Sequence, residues 1–108
     1  MIKMKTIVLK NYYIASSFKD KLLGYMFRKK PHKEIIVFKG TSSVHTYFMK
    51  FNIDIVFLDE NYKILAINKN IPHGKMIFSK KKTTYALEAI ANGIFKDASI
   101  GDKIVFHN

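Results

Sequence analysis

The amino-acid sequence predicts a mainly β protein, an antiparallel sandwich or a partly closed barrel of strands with one short helix near the N-terminus. Three observations lead there. Short apolar runs rich in β-branched residues recur between turn-forming residues, at Thr6–Leu9, 35–38, Ile53–Leu58, 63–68 and 103–106, and such lengths suit strands rather than globular helices. Helical spacing of apolar residues is clear in one place only, at Phe18, Leu22, Tyr25 and Met26. At 108 residues the chain, 1–108, forms one domain around one core.

In order, Thr6–Leu9 between Lys5 and Lys10 is a first strand. Ser17 and Asp20 fit a capping box, in which hydroxyl and carboxylate satisfy early backbone donors of a short amphipathic helix. Gly24 weakens its last turn, and Lys29 and Lys30 before Pro31 mark its exit. Residues 34–39 form a second strand, closed by Gly40. Residues 44–50 alternate, so a strand would place His45, Tyr47 and Met49 on one face. In Ile53–Leu58 both alternating sets are apolar, as in a strand covered on both sides, and Asp54 interrupts one set. The turn at 59–62 returns the chain into 63–68 as a hairpin partner, and 70–82 reads as an exposed excursion. Residues 84–91 suit helix by their Ala, Leu and Glu content and either element by length. Residues 103–106 are the last strand.

Composition bounds the function. Without cysteine the chain has no disulfide, no thiolate metal site and no cysteine nucleophile. No signal-peptide core follows Met1 and no apolar run approaches the roughly eighteen residues of a membrane span, so a cytoplasmic protein with no membrane contact is expected. The net charge of +11 suggests an anionic partner, yet Arg28 is the only arginine and the other basic residues are lysine, the pattern of AT-rich codon choice. Nucleic-acid readers lean on Arg for bidentate contacts. A nucleic-acid partner is therefore not the favoured reading.

The order of motifs is similar to a known family. Leu23, Gly24, Tyr25, Met26, Phe27 and Arg28, then His45, Thr46 and Met49, then Ile53, Asp54, Phe57, Leu58 and Asp59, then Pro72, then Leu87, Glu88 and Gly93, then Ile100, Gly101 and Asp102 resemble the DUF192 family of small uncharacterised proteins. The resemblance covers nearly all of the chain after residue 15 and implies a jelly-roll-type β-sandwich with a short early helix, but no activity. It also implies a strand at 84–90, because relatives often place Pro two residues after the Leu-Glu pair, where a helix interior tolerates it poorly. This chain has Ile90 there, Asn52 where Pro often precedes Ile-Asp, and Tyr25 where Leu is usual.

The expected ligand site comprises Arg28, His45, Met49, Asp54 and Glu88. A lone carboxylate in the most apolar stretch must be paired, hydrogen-bonded to backbone or protonated. If the flanking strands pair across Asn52, His45 reaches Asp54; the competing reading is an Asp54 satisfied by backbone donors with no ligand. Arg28 would answer Asp54, Glu88 or an anionic ligand with its planar fork. The leading function is thus a small binding module for a polar or anionic ligand. The alternatives are an acid/base enzyme using Asp54 or Glu88, and a nucleic-acid binder using Lys80, Lys81 and Lys82 beside Lys75, Phe78 and Tyr85. His45, His73, Asp54 and Glu88 lack metal-ligand spacing, and no nucleophile elbow or phosphate loop occurs, so neither metal nor cofactor is expected.

Overall fold

The computed structural model describes residues 4–15, 24–31, 33–41, 43–79 and 82–107, and these contain nine strands. They are β1 Thr6–Leu9, β2 Tyr12–Ala15, β3 Ile35–Lys39, β4 Ser43–His45, β5 Ile53–Leu58, β6 Ile64–Ile71, β7 Met76–Phe78, β8 Tyr85–Ile90 and β9 Lys103–Phe106. A five-stranded sheet runs β2-β3-β8-β5-β6, and two small sheets pair β1 with β9 and β4 with β7. The protein is mainly β, and none of these sheets closes into a barrel.

Strand β5 organises the layers because every one of its residues is buried. Val56 and Leu58 face a cluster with Val37, Leu87, Phe95 and Ile104. Ile53, Ile55 and Phe57 face the other way, into a cluster with Ile36, Phe38, Tyr25 and Met49. Full burial of such side chains contributes about 1.5–3 kcal/mol each, so a strand apolar on both faces is stable only where both are covered. The β1–β9 pair and 93–102 supply cover on one face, and 24–28 and the β4–β7 pair supply it on the other. Strand β8 pairs with β3 and β5 on its two sides, which decides the ambiguous 84–91 run in favour of a strand.

Several expectations are corrected. The capped start of the expected helix lies outside the described residues; its end, 24–27, forms a turn, and no helix occurs among the described residues. Antiparallel pairing is not universal, since β1–β9 and β2–β3 are parallel. The expected strand at 44–50 stops at His45, where Thr46 diverts the chain. Thr46 is fully buried, its hydroxyl donates to Pro72 O at 2.7 Å and accepts from Lys75 N at 2.9 Å, and its own N–H donates to Lys75 O at 2.8 Å. Those bonds pin the 72–75 loop, and Phe48 at φ 61° then ends any extended run. Met49 is buried while Tyr47 is exposed, so they do not share a face.

Candidate ligand-binding site

Gly24 begins the site. Its φ is +46°, and a Cβ built there would lie 2.8 Å from Glu88 Oε1 and 3.4 Å from Phe38 Cζ. Only glycine lets this turn sit against the sheet at Glu88 without strain or a clash. Gly24→Ala is expected to destabilise the protein by about 2 kcal/mol or more, combining the left-handed backbone with overpacking at a buried carboxyl, as read from a urea unfolding midpoint. The next residue, Tyr25, is buried, its ring meets Phe51 edge-on at 5.2 Å, and its hydroxyl lies 2.8 Å from Lys33 O and 3.1 Å from Glu34 O, donating to these carbonyls. Burial raises the Tyr25 phenol well above its ordinary range, and Glu88 and Glu34, ionised in the alkaline range where that phenol titrates, reinforce the shift.

The turn then meets the 45–50 segment. Phe27 N donates to Phe48 O at 2.9 Å, the two rings stack at 5.2 Å and 25°, and each residue remains 61% exposed. Both occupy the left-handed region, at φ 66° and 61°. For bulky side chains that conformation is rare and strained by about 1–3 kcal/mol, and such strain clusters at binding sites. Beside them His45 Nδ1 accepts from Tyr47 N at 3.1 Å and its ring stacks on Tyr47 at 5.7 Å. Arg28 is exposed, and among the described residues its guanidinium makes no ion pair or hydrogen bond. Segments 24–31 and 43–50 contain no acidic residue.

Below this surface Glu88 is fully buried, and its Oε2 has no hydrogen-bond partner among the described residues. Burial pushes the carboxyl up to about 8, so it is largely protonated at neutral pH. An uncharged Glu88 gives Arg28 no counter-ion.

Asp54 belongs elsewhere. In the β5–β8 register it lies opposite Ala89, whereas Glu88 lies opposite Ile55, and adjacent positions of a strand point to opposite faces. The two carboxylates therefore sit on opposite sides of the sheet and cannot work as an acid–base pair. Asp54 Oδ1 accepts from Asn70 N at 2.8 Å and Oδ2 from Asn92 N at 3.2 Å. Both asparagines are left-handed, at φ 54° and 61°, so the carboxylate braces the irregularity in β6 and the turn after β8 from inside, in the manner of the ligand-free reading. A cavity of about 340 Å³ opens beside it, lined by Asp54, Lys69, Asn70, Ala91, Asn92 and Lys96; neither His45 nor Arg28 lines it.

Of the five expected residues, Arg28, His45 and Met49 come from the two segments that meet at Phe27 and Phe48, and Glu88 lies under Gly24 of the first. Asp54 is separate. Of the basic and aromatic residues named around Lys82, Phe78 lies on β7 and Tyr85 on β8, where it stacks with Tyr62. Lys80 and Lys81 lie outside the described residues. Among the described residues no group of three potential ligands could hold a metal ion. Phe27, Phe48 and Thr46 were not singled out from sequence; the only signal was their place beside Arg28, Met49 and His45 in the motifs.

A family model matches residues 3–106, that of DUF192 (Uncharacterized ACR, COG1430). The chain belongs to the DUF192 family. It is 29% identical over 79 residues to a UPF0127 protein of Pyrococcus horikoshii, covering 69% of this chain and 68% of that one. A UPF0127 protein of Pyrococcus abyssi is 27% identical over 97 residues, 84% of this chain and 81% of that one. The fold is also similar to that of a protein of unknown function from Novosphingobium aromaticivorans DSM 12444, with a TM-score of 0.73 at 20% identity over 85% of this chain and 71% of the other. Within this DUF192 chain Met49 packs in one buried cluster with Tyr25, and Glu88 lies against Gly24. No helix among the described residues is long and apolar enough to cross a membrane.

Proposed function

We propose that this DUF192 protein is a non-catalytic binding module whose site is the surface where 24–28 meets 45–50. Its ligand carries an anionic group for Arg28 and an apolar or flat part for Phe27 and Phe48. The observation that carries this reading is the exposed, left-handed, stacked phenylalanine pair beside an arginine with no partner of its own among the described residues. A guanidinium without an internal counter-ion answers an outside anion, and exposed aromatic rings supply apolar contact. The scaffold in this reading is a jelly-roll-like sandwich, supported by separate apolar clusters on the two faces of the main sheet. A cytoplasmic setting is in keeping with the cysteine-free composition.

The test is an amide NMR titration of the whole chain with phenyl phosphate. Saturable shifts are expected at Phe27, Arg28 and Phe48, weakened roughly fivefold or more by Arg28→Gln, the equivalent of about one hydrogen bond. Phe48→Gly is expected to lose binding similarly while leaving the unfolding midpoint unchanged or higher, since glycine relieves the left-handed strain. Absence of shifts in both segments, or binding indifferent to both substitutions, removes this site from consideration.

A further inference from the structure

A second cavity, of about 240 Å³, borders β2 at the edge of the five-stranded sheet, and its wall includes Tyr12, Ile14, Lys39, Tyr62, Tyr85 and Phe106. Four aromatic rings are held in fixed relation there. Tyr62 stacks on Tyr85 at 5.2 Å and meets Phe106 edge-on at 5.6 Å, and Phe106 meets Tyr12 edge-on at 5.0 Å. Tyr62 takes its place at φ 64°, in a turn where Asp59 Oδ1 accepts from Asn61 N at 2.8 Å and Lys63 N at 3.0 Å, and Tyr62 N donates to Asp59 O at 3.1 Å. A bulky residue held left-handed by three hydrogen bonds is an outlier that the surrounding structure enforces.

The polar groups of the cavity favour one charge. The Tyr62 and Tyr85 hydroxyls lie 3.4 Å apart, so one O–H serves the pair and the acceptor's own O–H is left to donate outward. Neither hydroxyl makes another hydrogen bond among the described residues. The hydrogen bond with Tyr62, then burial, raises the Tyr85 phenol above its ordinary range. Aromatic boxes commonly take cations, but here Lys39 contributes a positive charge to the wall and, among the described residues, none that lines it is acidic. The volume is below the roughly 300 Å³ at which drug-sized pockets begin, which suits one ring with a short substituent.

From the four rings, the unused hydroxyl donor and the Lys39 charge, we infer that this cavity binds a small aromatic carboxylate, distinct from the ligand at Arg28. The ring packs among Tyr12, Tyr62, Tyr85 and Phe106, and the carboxylate accepts from the tyrosine pair and meets the Lys39 ammonium. The experiment is an amide NMR titration of the full chain with benzoate, cyclohexanecarboxylate and benzyltrimethylammonium in parallel. Benzoate is expected to shift Tyr12, Lys39, Tyr62 and Tyr85 saturably at millimolar concentration, with cyclohexanecarboxylate weaker and the cation without effect. Lys39→Gln, and the double Tyr62→Phe and Tyr85→Phe variant, are each expected to weaken benzoate roughly fivefold, with unfolding midpoints confirming a folded chain. Equal or tighter binding of the cation, benzoate shifts confined to Phe27, Arg28 and Phe48, or no shift at all overturns the inference. The Arg28→Gln variant should bind benzoate as the parent does, so this site and the phenyl phosphate site succeed or fail separately.

Discussion

Glu88→Gln is expected to flatten the pH dependence of stability and to overtake the parent protein in alkaline solution. In the folded chain the Glu88 carboxyl is pushed by burial from its ordinary 4.5 up to about 8. Below pH 4.5 it is protonated in both folded and unfolded chains, and its contribution is then at its most favourable. Between 4.5 and 8 the unfolded chain releases the proton while the folded chain keeps it, so folding takes up a proton and stability falls as pH rises. Above the folded value the loss is complete, on the order of a few kcal/mol. The glutamine amide does not titrate, but it brings N–H donors to the place where Oε2 already lacks a partner among the described residues, an expected loss of about 1–3 kcal/mol at every pH. The variant should thus be less stable than the parent at pH 5 and equal or more stable at pH 9. Urea unfolding of both proteins at several pH values measures this directly, and parallel curves would show an ordinary carboxyl at this position.

Asp54→Ala is expected to destabilise the fold by about 3 kcal/mol or more, because it strips the acceptor from two backbone donors at once. The Asn70 and Asn92 N–H groups end on one buried carboxylate; Asn70 sits at the left-handed irregularity near the end of β6, and Asn92 in the left-handed turn that follows β8. Asp54→Asn should be nearly as damaging, since the amide offers one acceptor oxygen and turns a donor toward the other N–H. Hydrogen exchange should quicken first at Asn70 and Asn92, ahead of global unfolding. A loss below about 1 kcal/mol for Asp54→Ala would mean that water replaces the carboxylate and that its role is not structural.

Both effects concern residues conspicuous in the sequence whose surroundings were not. Asp54 stood out as the polar interruption of an apolar run, and the choice between a ligand site and a backbone-satisfied brace was open because its donors lie 16 and 38 residues away. Glu88 was named beside Asp54, yet the β5–β8 register sends them to opposite faces. Arg28 was conspicuous as the lone arginine, and the absence of a partner for it among the described residues became visible only with the fold. Nothing in a phenylalanine forecasts a left-handed backbone, so Phe27 and Phe48 were not marked as site residues by the sequence, although Phe27 stands in the motif beside Arg28.

What the sequence alone determined was the strand character of the chain and its most buried element. Apolar residues in both alternating sets of Ile53–Leu58 demand cover on two sides, a local property that composition and period express. The tertiary structure alone decided which segments supply that cover, the parallel pairings of β1 with β9 and β2 with β3, and the meeting of 24–28 with 45–50. Those outcomes rest on hydrogen bonds and packing between residues far apart in the chain, such as Thr46 with Pro72 and Gly24 with Glu88. Hydrophobic period specifies which faces must be buried but not which distant surface buries them.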